Sequence, residues 1–188
     1  MKLDTDRVVS ISAMIAALGS LFIIVYQTHL MRQQQNAAAL PYLMLAINSS
    51  EQGAFINLRN VGVGPALIET VRVRDKVGTI EGDAYDYYLA RNAGADKEGA
   101  LSVDKVIPGQ LIPAGQTLQI LGMSAPRRGE MLGKLLATFE LAEVPVSWYT
   151  TLGVARDGEK KAVIEITYTS VYGDRWRVTS DRVVPERL

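Results

Sequence analysis

The sequence predicts a mainly β protein, an antiparallel β-sandwich with one or two short helices, carried behind a single N-terminal transmembrane helix and a helical stalk. Three observations carry this reading. The run from Val8 to Tyr26, VVSISAMIAALGSLFIIVY, holds nineteen residues and no charge. At Pro41 the pattern turns from helical to extended, as the restriction that proline places on the residue before it requires. Beyond Pro41, many short alternating segments are separated by Gly- and Pro-bearing turns, the mark of a sandwich.

At ~1.5 Å rise per residue the apolar run matches the ~30 Å hydrocarbon thickness of a bilayer. A cleavable signal peptide has a shorter apolar core, usually ~7–15 residues, and a small-x-small site close behind it. No such site follows Tyr26 closely. Tyr26 itself suits the membrane interface, where aromatic rings concentrate. Residues 1–7 are then a short tail, 8–26 the transmembrane helix and 27–40 a stalk of good helix formers. Lys2, Arg7 and the terminal amine outweigh Arg32 across the helix, so the positive-inside rule turns the globular part outward, which in a bacterium means the periplasmic side of the inner membrane. Ser12, Ala16, Gly19 and Ser20 share one helix face, and such small residues let two helices approach closely in lipid. Weak homo-oligomers are the expectation from that stripe.

Composition excludes more than it identifies. Residues 41–188 suit one domain. Lys plus Arg number 20 and Asp plus Glu number 20, leaving no field to hold nucleic acid. The chain has no cysteine, and its one histidine, His29, lies just past the apolar run. Disulfides, thiolate zinc sites and His-based acid/base chemistry in the globular part are therefore ruled out. Acid/base work would fall to scattered carboxylates such as Asp83, Asp86, Asp96 and Asp104, which read as solvated surface. Nothing resembles a nucleophile elbow, a P-loop or an EF-hand. No catalytic, cofactor or metal residue is assigned, and the chain is read as no enzyme.

Along residues 41–188, Tyr42–Ile47 and Ala54–Asn60 predict a hairpin across a polar Asn-Ser-Ser-Glu-Gln-Gly turn. Ala66–Arg74 places Leu67, Val71 and Val73 on one face and Thr70, Arg72 and Arg74 on the other, with Glu69 out of pattern. Further extended segments are 76–80, 101–107, 117–121, 147–155, 162–169 and 175–183. A short helix is expected over Asp83–Ala93. Over Arg128–Ala142, Met131, Leu132, Leu135, Leu136 and Phe139 fall on one helical face, while Leu135, Ala137, Phe139 and Leu141 alternate as a strand would. Helix is favoured, with Ser124 as its cap and Pro126 in its first turn.

Asn60-Val61-Gly62-Val63-Gly64-Pro65-Ala66 lacks the third glycine and the following helix of a dinucleotide loop, so Asn60, Gly62, Gly64 and Pro65 read as a structural turn. The glycines are expected to take positive φ there. Tyr168–Trp176 is the densest aromatic cluster, with Gly173-Asp174 as a two-residue hairpin turn setting Tyr172 beside Arg175. Trp148, Tyr149, Tyr172, Arg175 and Trp176 form a possible recognition surface, since Tyr, Trp and Arg dominate binding hot spots.

Three motifs in combination, Asn60-x-Gly62-x-Gly64-Pro65-Ala66-x-Ile68, Ile112-Pro113-Ala114-Gly115-Gln116 and Tyr168 to Trp176, resemble a group of uncharacterised proteobacterial membrane proteins that share one N-terminal transmembrane helix and a β-domain. The chain is also similar to immunoglobulin-like adhesion-type domains, in which Asn-x-Gly closes one strand shortly before the next. The stretch Glu143–Lys161 has no counterpart in either. The resemblance implies an Ig-like sandwich at the bacterial envelope and brings no activity or catalytic residue. A non-catalytic binding or scaffolding domain with a protein partner follows as the expected function. Its rivals are a ligand sensor signalling through the stalk, marked by a polar pocket lined by Trp148, Tyr149 or Tyr172, and a carboxylate-only hydrolase or transferase, marked by two acids converging in a deep pocket.

Overall fold

The charge-free run is the middle of one long helix. In the computed structural model, which describes residues 5–50, 53–92, 100–101, 104–124, 128–142, 144–152, 154 and 161–188, α1 spans Thr5–Ala38 without interruption. It is long and apolar enough to cross a membrane. Its apolar side chains are exposed, Phe22 at 76%. The chain forms two compact units, Met1–Ala38 and Ala39–Leu188.

In the second unit the strands are β1 (Leu43–Ser50), β2 (Gly53–Asn60), β3 (Ala66–Arg74), β4 (Thr79–Glu81), β5 (Ala100–Leu101), β6 (Leu111–Ile112), β7 (Thr117–Ser124), β8 (Val163–Thr169), β9 (Arg175–Thr179) and β10 (Glu186–Arg187). Interleaved with them are the helices α2 (Ala84–Arg91), α3 (Arg128–Thr138) and α4 (Val146–Leu152). All ladders are antiparallel. One sheet runs β1-β2-β7-β5 and the other β10-β9-β8-β3-β4, with β6 paired to the start of β3. Side chains of both sheets meet in one core, the sandwich that the alternation predicted.

The β1–β2 hairpin shows why the pattern forms this structure. Leu45 faces Leu58 and Ile47 faces Ile56, and all four are buried, so a period of two puts one row of each strand in the core. The two sheets are also joined by a polar contact: the Leu43 N–H donates to the Tyr168 hydroxyl at 3.3 Å. Burial pushes the Tyr168 phenol up to about 12, so it remains a neutral acceptor through the physiological range.

In β3 the register shifts between Ile68 and Thr70. Glu69, out of pattern in the sequence, sits at that bulge. Before it Ala66 and Ile68 are buried; after it Val71 and Val73 are. Leu67, expected inside with Val71, is therefore on the outer face and 42% exposed, because the inserted residue reverses the alternation.

The segment Arg128–Ala142 resolves as the helix α3 over Arg128–Thr138, with Leu132, Leu135 and Leu136 buried and Phe139 just beyond it. The Ser124 and Pro126 capping roles involve residues 125–127, which lie outside the described residues. The expected strand at 147–155 is instead α4, where Tyr149 is buried and Trp148 and Leu152 are packed against the core. Those three positions share one helical face, and a strand would have split Trp148 from Tyr149. Of the expected strand at 101–107 only Leu101 is extended, in β5; Val106 reaches the core from a loop. Residues 76 and 77 belong to a turn that precedes β4, and β9 ends at Thr179.

Candidate functional site

The β3–β4 turn begins with an aspartate whose side chain caps its own loop. Asp75 Oδ1 accepts the N–H groups of Val77 at 2.8 Å and Gly78 at 2.9 Å, the local bonding that Asp offers a turn. Its other oxygen accepts the Tyr87 hydroxyl at 2.9 Å and the Arg91 guanidinium. Both come from α2, and their four-residue spacing puts them on one helix face. The position of α2 is set by Asp83, which caps it by accepting the Asp86 N–H at 2.8 Å, and by Tyr87 and Tyr88, whose rings pack 5.8 and 6.4 Å from Phe139.

These residues line a cleft of about 630 Å³ with Lys76, Val77, Asn92, Ala137 and Thr138. The Asp75 side chain is 6% exposed and that of Arg91 is 44% exposed. Burial pushes the Asp75 carboxyl up, but the Gly78 N–H, the Tyr87 hydroxyl, the Val77 N–H and Arg91 together hold it below the ordinary carboxylate value. Burial, and then the Asp75 carboxylate, raise Tyr87, and the hydrogen bond to Asp75 raises Arg91. The guanidinium also lies 5.7 Å from the centre of the Tyr87 ring. A carboxylate held ionised by four donors is a poor general acid, whereas the outer side of Arg91 and the Asn92 amide suit recognition of a polar or anionic group.

The depressed Asp75 pKa gives a signed expectation. Its ionised form contributes stability above its unfolded pKa of about 3.9, and the contribution is lost as pH falls through the lower folded value. Asp75→Asn will melt at lower temperature than the native chain at pH 7, and the gap will narrow as the pH drops below about 4. Thermal melts followed by near-ultraviolet circular dichroism across that range check it; a gap independent of pH would contradict the ionised role.

The residues singled out as a recognition surface divide between two elements. Trp148 and Tyr149 lie on α4, with Lys161 Nζ 4.7 Å from the centre of the Tyr149 ring. Tyr172, Arg175 and Trp176 belong to the β8–β9 hairpin. Trp176 is opposite Tyr168 and is covered by Arg187 at 5.8 Å. Arg175 makes two bonds to Glu69, of 2.9 and 2.6 Å. The expected two-residue turn at Gly173-Asp174 is corrected: Thr169 pairs with Arg175, and the loop between them is closed by Ser170, which accepts Tyr172 and Asp174 N–H groups on its hydroxyl. Tyr172 therefore sits in the loop rather than beside Arg175. None of these aromatic residues lines the cleft.

Asn60 is the best-bonded side chain of the expected structural turn. It is fully buried. Its Oδ1 accepts Tyr42 N–H at 3.2 Å and Gly62 N–H at 3.1 Å, and its Nδ2 donates to the Gly64 carbonyl at 2.8 Å and the Ile112 carbonyl at 3.0 Å. The Leu40 carbonyl accepts the N–H groups of Val63 and Gly64. Positive φ is not what the glycines supply: it occurs at Gly53, Gly82, Gly109, Gly115 and Gly173, and not at Gly62 or Gly64. They are needed for close approach, since an added Cβ would lie 2.4 Å from Tyr42 N at Gly62 and 1.9 Å from the Ala39 carbonyl oxygen at Gly64. Pro65 leads directly into β3.

Of the scattered carboxylates, Asp83 is the α2 cap, Asp86 lies 3.4 Å from Lys105, Asp104 accepts the Gln119 N–H at 2.8 Å, and Asp96 lies outside the described residues. None of them lines the cleft, and no group of three or more acidic or histidine side chains could hold a metal ion among the described residues. On α1, Ser12, Ala16, Gly19 and Ser20 are exposed. The Ser20 hydroxyl donates to the Ala16 carbonyl at 2.8 Å, so this stripe offers small volume more than hydrogen bonding.

Asp75, Tyr87 and Arg91 were not singled out from the sequence. The Asp-x-x-Gly turn and the Tyr-x-x-x-Arg spacing are visible there, but not their meeting. A family model described as a domain of unknown function matches residues 8–183. No curated protein and no solved structure matches the chain.

Proposed function

The chain belongs to the family described as Domain of unknown function (DUF8453), and from that premise we propose that it is a membrane-anchored, non-catalytic binding domain. The observation that carries the reading is α1, whose exposed apolar side chains run on in sequence to a β unit with a core of its own. Exposing that much apolar surface to water opposes folding, and a bilayer removes the cost. The matched span begins at residue 8, in the apolar run, which supports a retained anchor over a removed leader.

In this reading α1 holds an Ig-like sandwich at a bacterial inner membrane, on the periplasmic side, and the cleft between the β3–β4 turn and α2 takes the partner. Arg91, the Asn92 amide and the Tyr87 ring favour a polar or anionic group on a protein or small ligand. Asp75 orders the site and transfers no proton. The stripe through Ala16 and Ser20 would support weak self-association in the membrane.

Because the chain lacks cysteine, anchoring and orientation are read with single-cysteine variants. Val77→Cys is expected to react with a membrane-impermeant thiol reagent on intact spheroplasts, and Thr5→Cys only after lysis. The reverse pattern would refute the orientation, and release of the protein from membranes by alkaline carbonate would refute the anchor. Arg91→Ala should weaken capture of whatever copurifies with the detergent-solubilised native chain; undiminished capture would exclude the cleft.

A further inference from the structure

One end of the sandwich is apolar on its outside. Val61 and Val63 project from the turn after β2, Leu67 and Leu111 are cross-strand neighbours on β3 and β6, and Val171 and Tyr172 occupy the β8–β9 loop. These six are between 42% and 67% exposed. The ladders place them at the same end: Leu67 is also opposite Thr169, where β8 runs into the loop carrying Val171 and Tyr172. Scattered exposed apolar side chains need no explanation, but a contiguous group marks an interaction surface. The bulge at Glu69 contributes by turning Leu67 outward. The carboxylates flanking the group are neutralised, Glu69 by Arg175 at 2.6 Å and Asp174 by Arg187 at 2.5 Å.

The same end holds the segment by which the chain continues from α1. Val61 N–H bonds to the Tyr42 carbonyl, and Val63 and Gly64 N–H groups bond to the Leu40 carbonyl. Twelve helical residues separate Tyr26 from Ala38, so the tether is at most about 18 Å long at 1.5 Å per residue. A headgroup layer of roughly 5–8 Å covers the first part of that distance, and helix tilt shortens the rest. We infer that this end of the sandwich is a lipid-contact surface, which seats the domain on the phospholipid headgroups of the bilayer that α1 spans. The inference rests on the anchored reading of α1. Aromatic and aliphatic side chains with paired arginines behind them have the composition of an interfacial surface. Its consequence concerns the cleft: β3 runs from Ala66 at the apolar end to Asp75, about 30 Å at ~3.3 Å per residue, so seating this end on lipid leaves the Asp75–Arg91 cleft facing away from the membrane.

The test uses the full-length chain in vesicles of phosphatidylethanolamine and phosphatidylglycerol, with nitroxide labels on single cysteines at Ile15, Val63, Val171 and Val77. Accessibility is measured to oxygen, which enters lipid, and to a polar nickel chelate, which does not. The expected result is a hydrocarbon signature at Ile15 and an oxygen-to-nickel ratio at Val63 and Val171 at least about twofold above that at Val77, as for side chains held ~5–10 Å into the interfacial boundary. If Ile15 is in hydrocarbon but Val63 and Val171 match Val77, the surface is not seated on lipid and the inference fails while the anchor stands. If Ile15 itself is accessible to nickel, the anchored reading fails and takes the inference with it. Spin–spin broadening at Val63 that disappears on dilution with unlabelled chain, at a low oxygen ratio, assigns the patch to a second copy and also overturns the inference.

Discussion

Gly64→Ala is expected to destabilise the β unit by more than about 3 kcal/mol, beyond the usual cost of overpacking. The added Cβ would lie 1.9 Å from the Ala39 carbonyl oxygen, 2.3 Å from its carbon and 2.8 Å from its Cα. All three are backbone atoms, so no side chain can rotate out of the way, and the strand of chain at Ala39–Tyr42 has to move. That movement would break the hydrogen bonds of Val63 and Gly64 to the Leu40 carbonyl. For a chain of this size the loss corresponds to a fall in melting temperature of roughly 6–12 °C. Gly78→Ala is the control: nothing lies within 4 Å of its added Cβ and its φ is not positive, so its effect should stay within about 0.5 kcal/mol. Equal melting of the two variants would show that the close approach at Gly64 imposes no constraint.

Asn60→Ala should cost nearly as much for a different reason. It removes one buried amide that satisfies four backbone groups: Tyr42 N–H, Gly62 N–H, and the Gly64 and Ile112 carbonyls. At about 1 kcal/mol for each partner left unsatisfied, the sum is about 4 kcal/mol. Asn60→Asp preserves the shape and both acceptor contacts but loses the two donors and places a charge beside two carbonyl oxygens. It should therefore be no better tolerated at neutral pH. Chemical denaturation of the detergent-solubilised chain measures both variants. A loss below about 1 kcal/mol for Asn60→Ala would mean that water replaces the amide and that the turn is held by its backbone alone. Both substitutions act where the sandwich receives the chain from α1, so they also bear on whether force or orientation is transmitted through that junction.

What could be read in advance was what repeats over short distances. A charge-free run of helix formers specifies α1, because hydrocarbon thickness and helical rise involve no other part of the chain. Alternation specifies the β1–β2 hairpin and the inner rows of β3 and β8, because side-chain direction in a strand is a local property. The apolar face of α3 was legible for the same reason, at a period of 3.6.

The misread segments are those where two local patterns competed or where distant residues cast the deciding vote. Val146–Leu152 is rich in β-branched and aromatic residues and suggests a strand, yet packing Trp148, Tyr149 and Leu152 on one face against the core makes it a helix, and burial outweighs a propensity worth a few tenths of a kcal/mol per residue. Gly62 and Gly64 were marked as special, but the reason, a backbone some twenty residues earlier in the chain, is invisible to a reading of the turn. Asp75, Tyr87 and Arg91 are 12 and 16 residues apart from the aspartate, and only the docking of α2 beside the β3–β4 turn turns three ordinary surface residues into one site. The sequence by itself thus determined the anchor, the class of the β unit and the alternation of its strands, through periodicity and composition. The tertiary structure alone decided the cleft, the junction clamped by Asn60 and the outward turn of Leu67, because each depends on contacts whose partners are set by how the chain closes on itself.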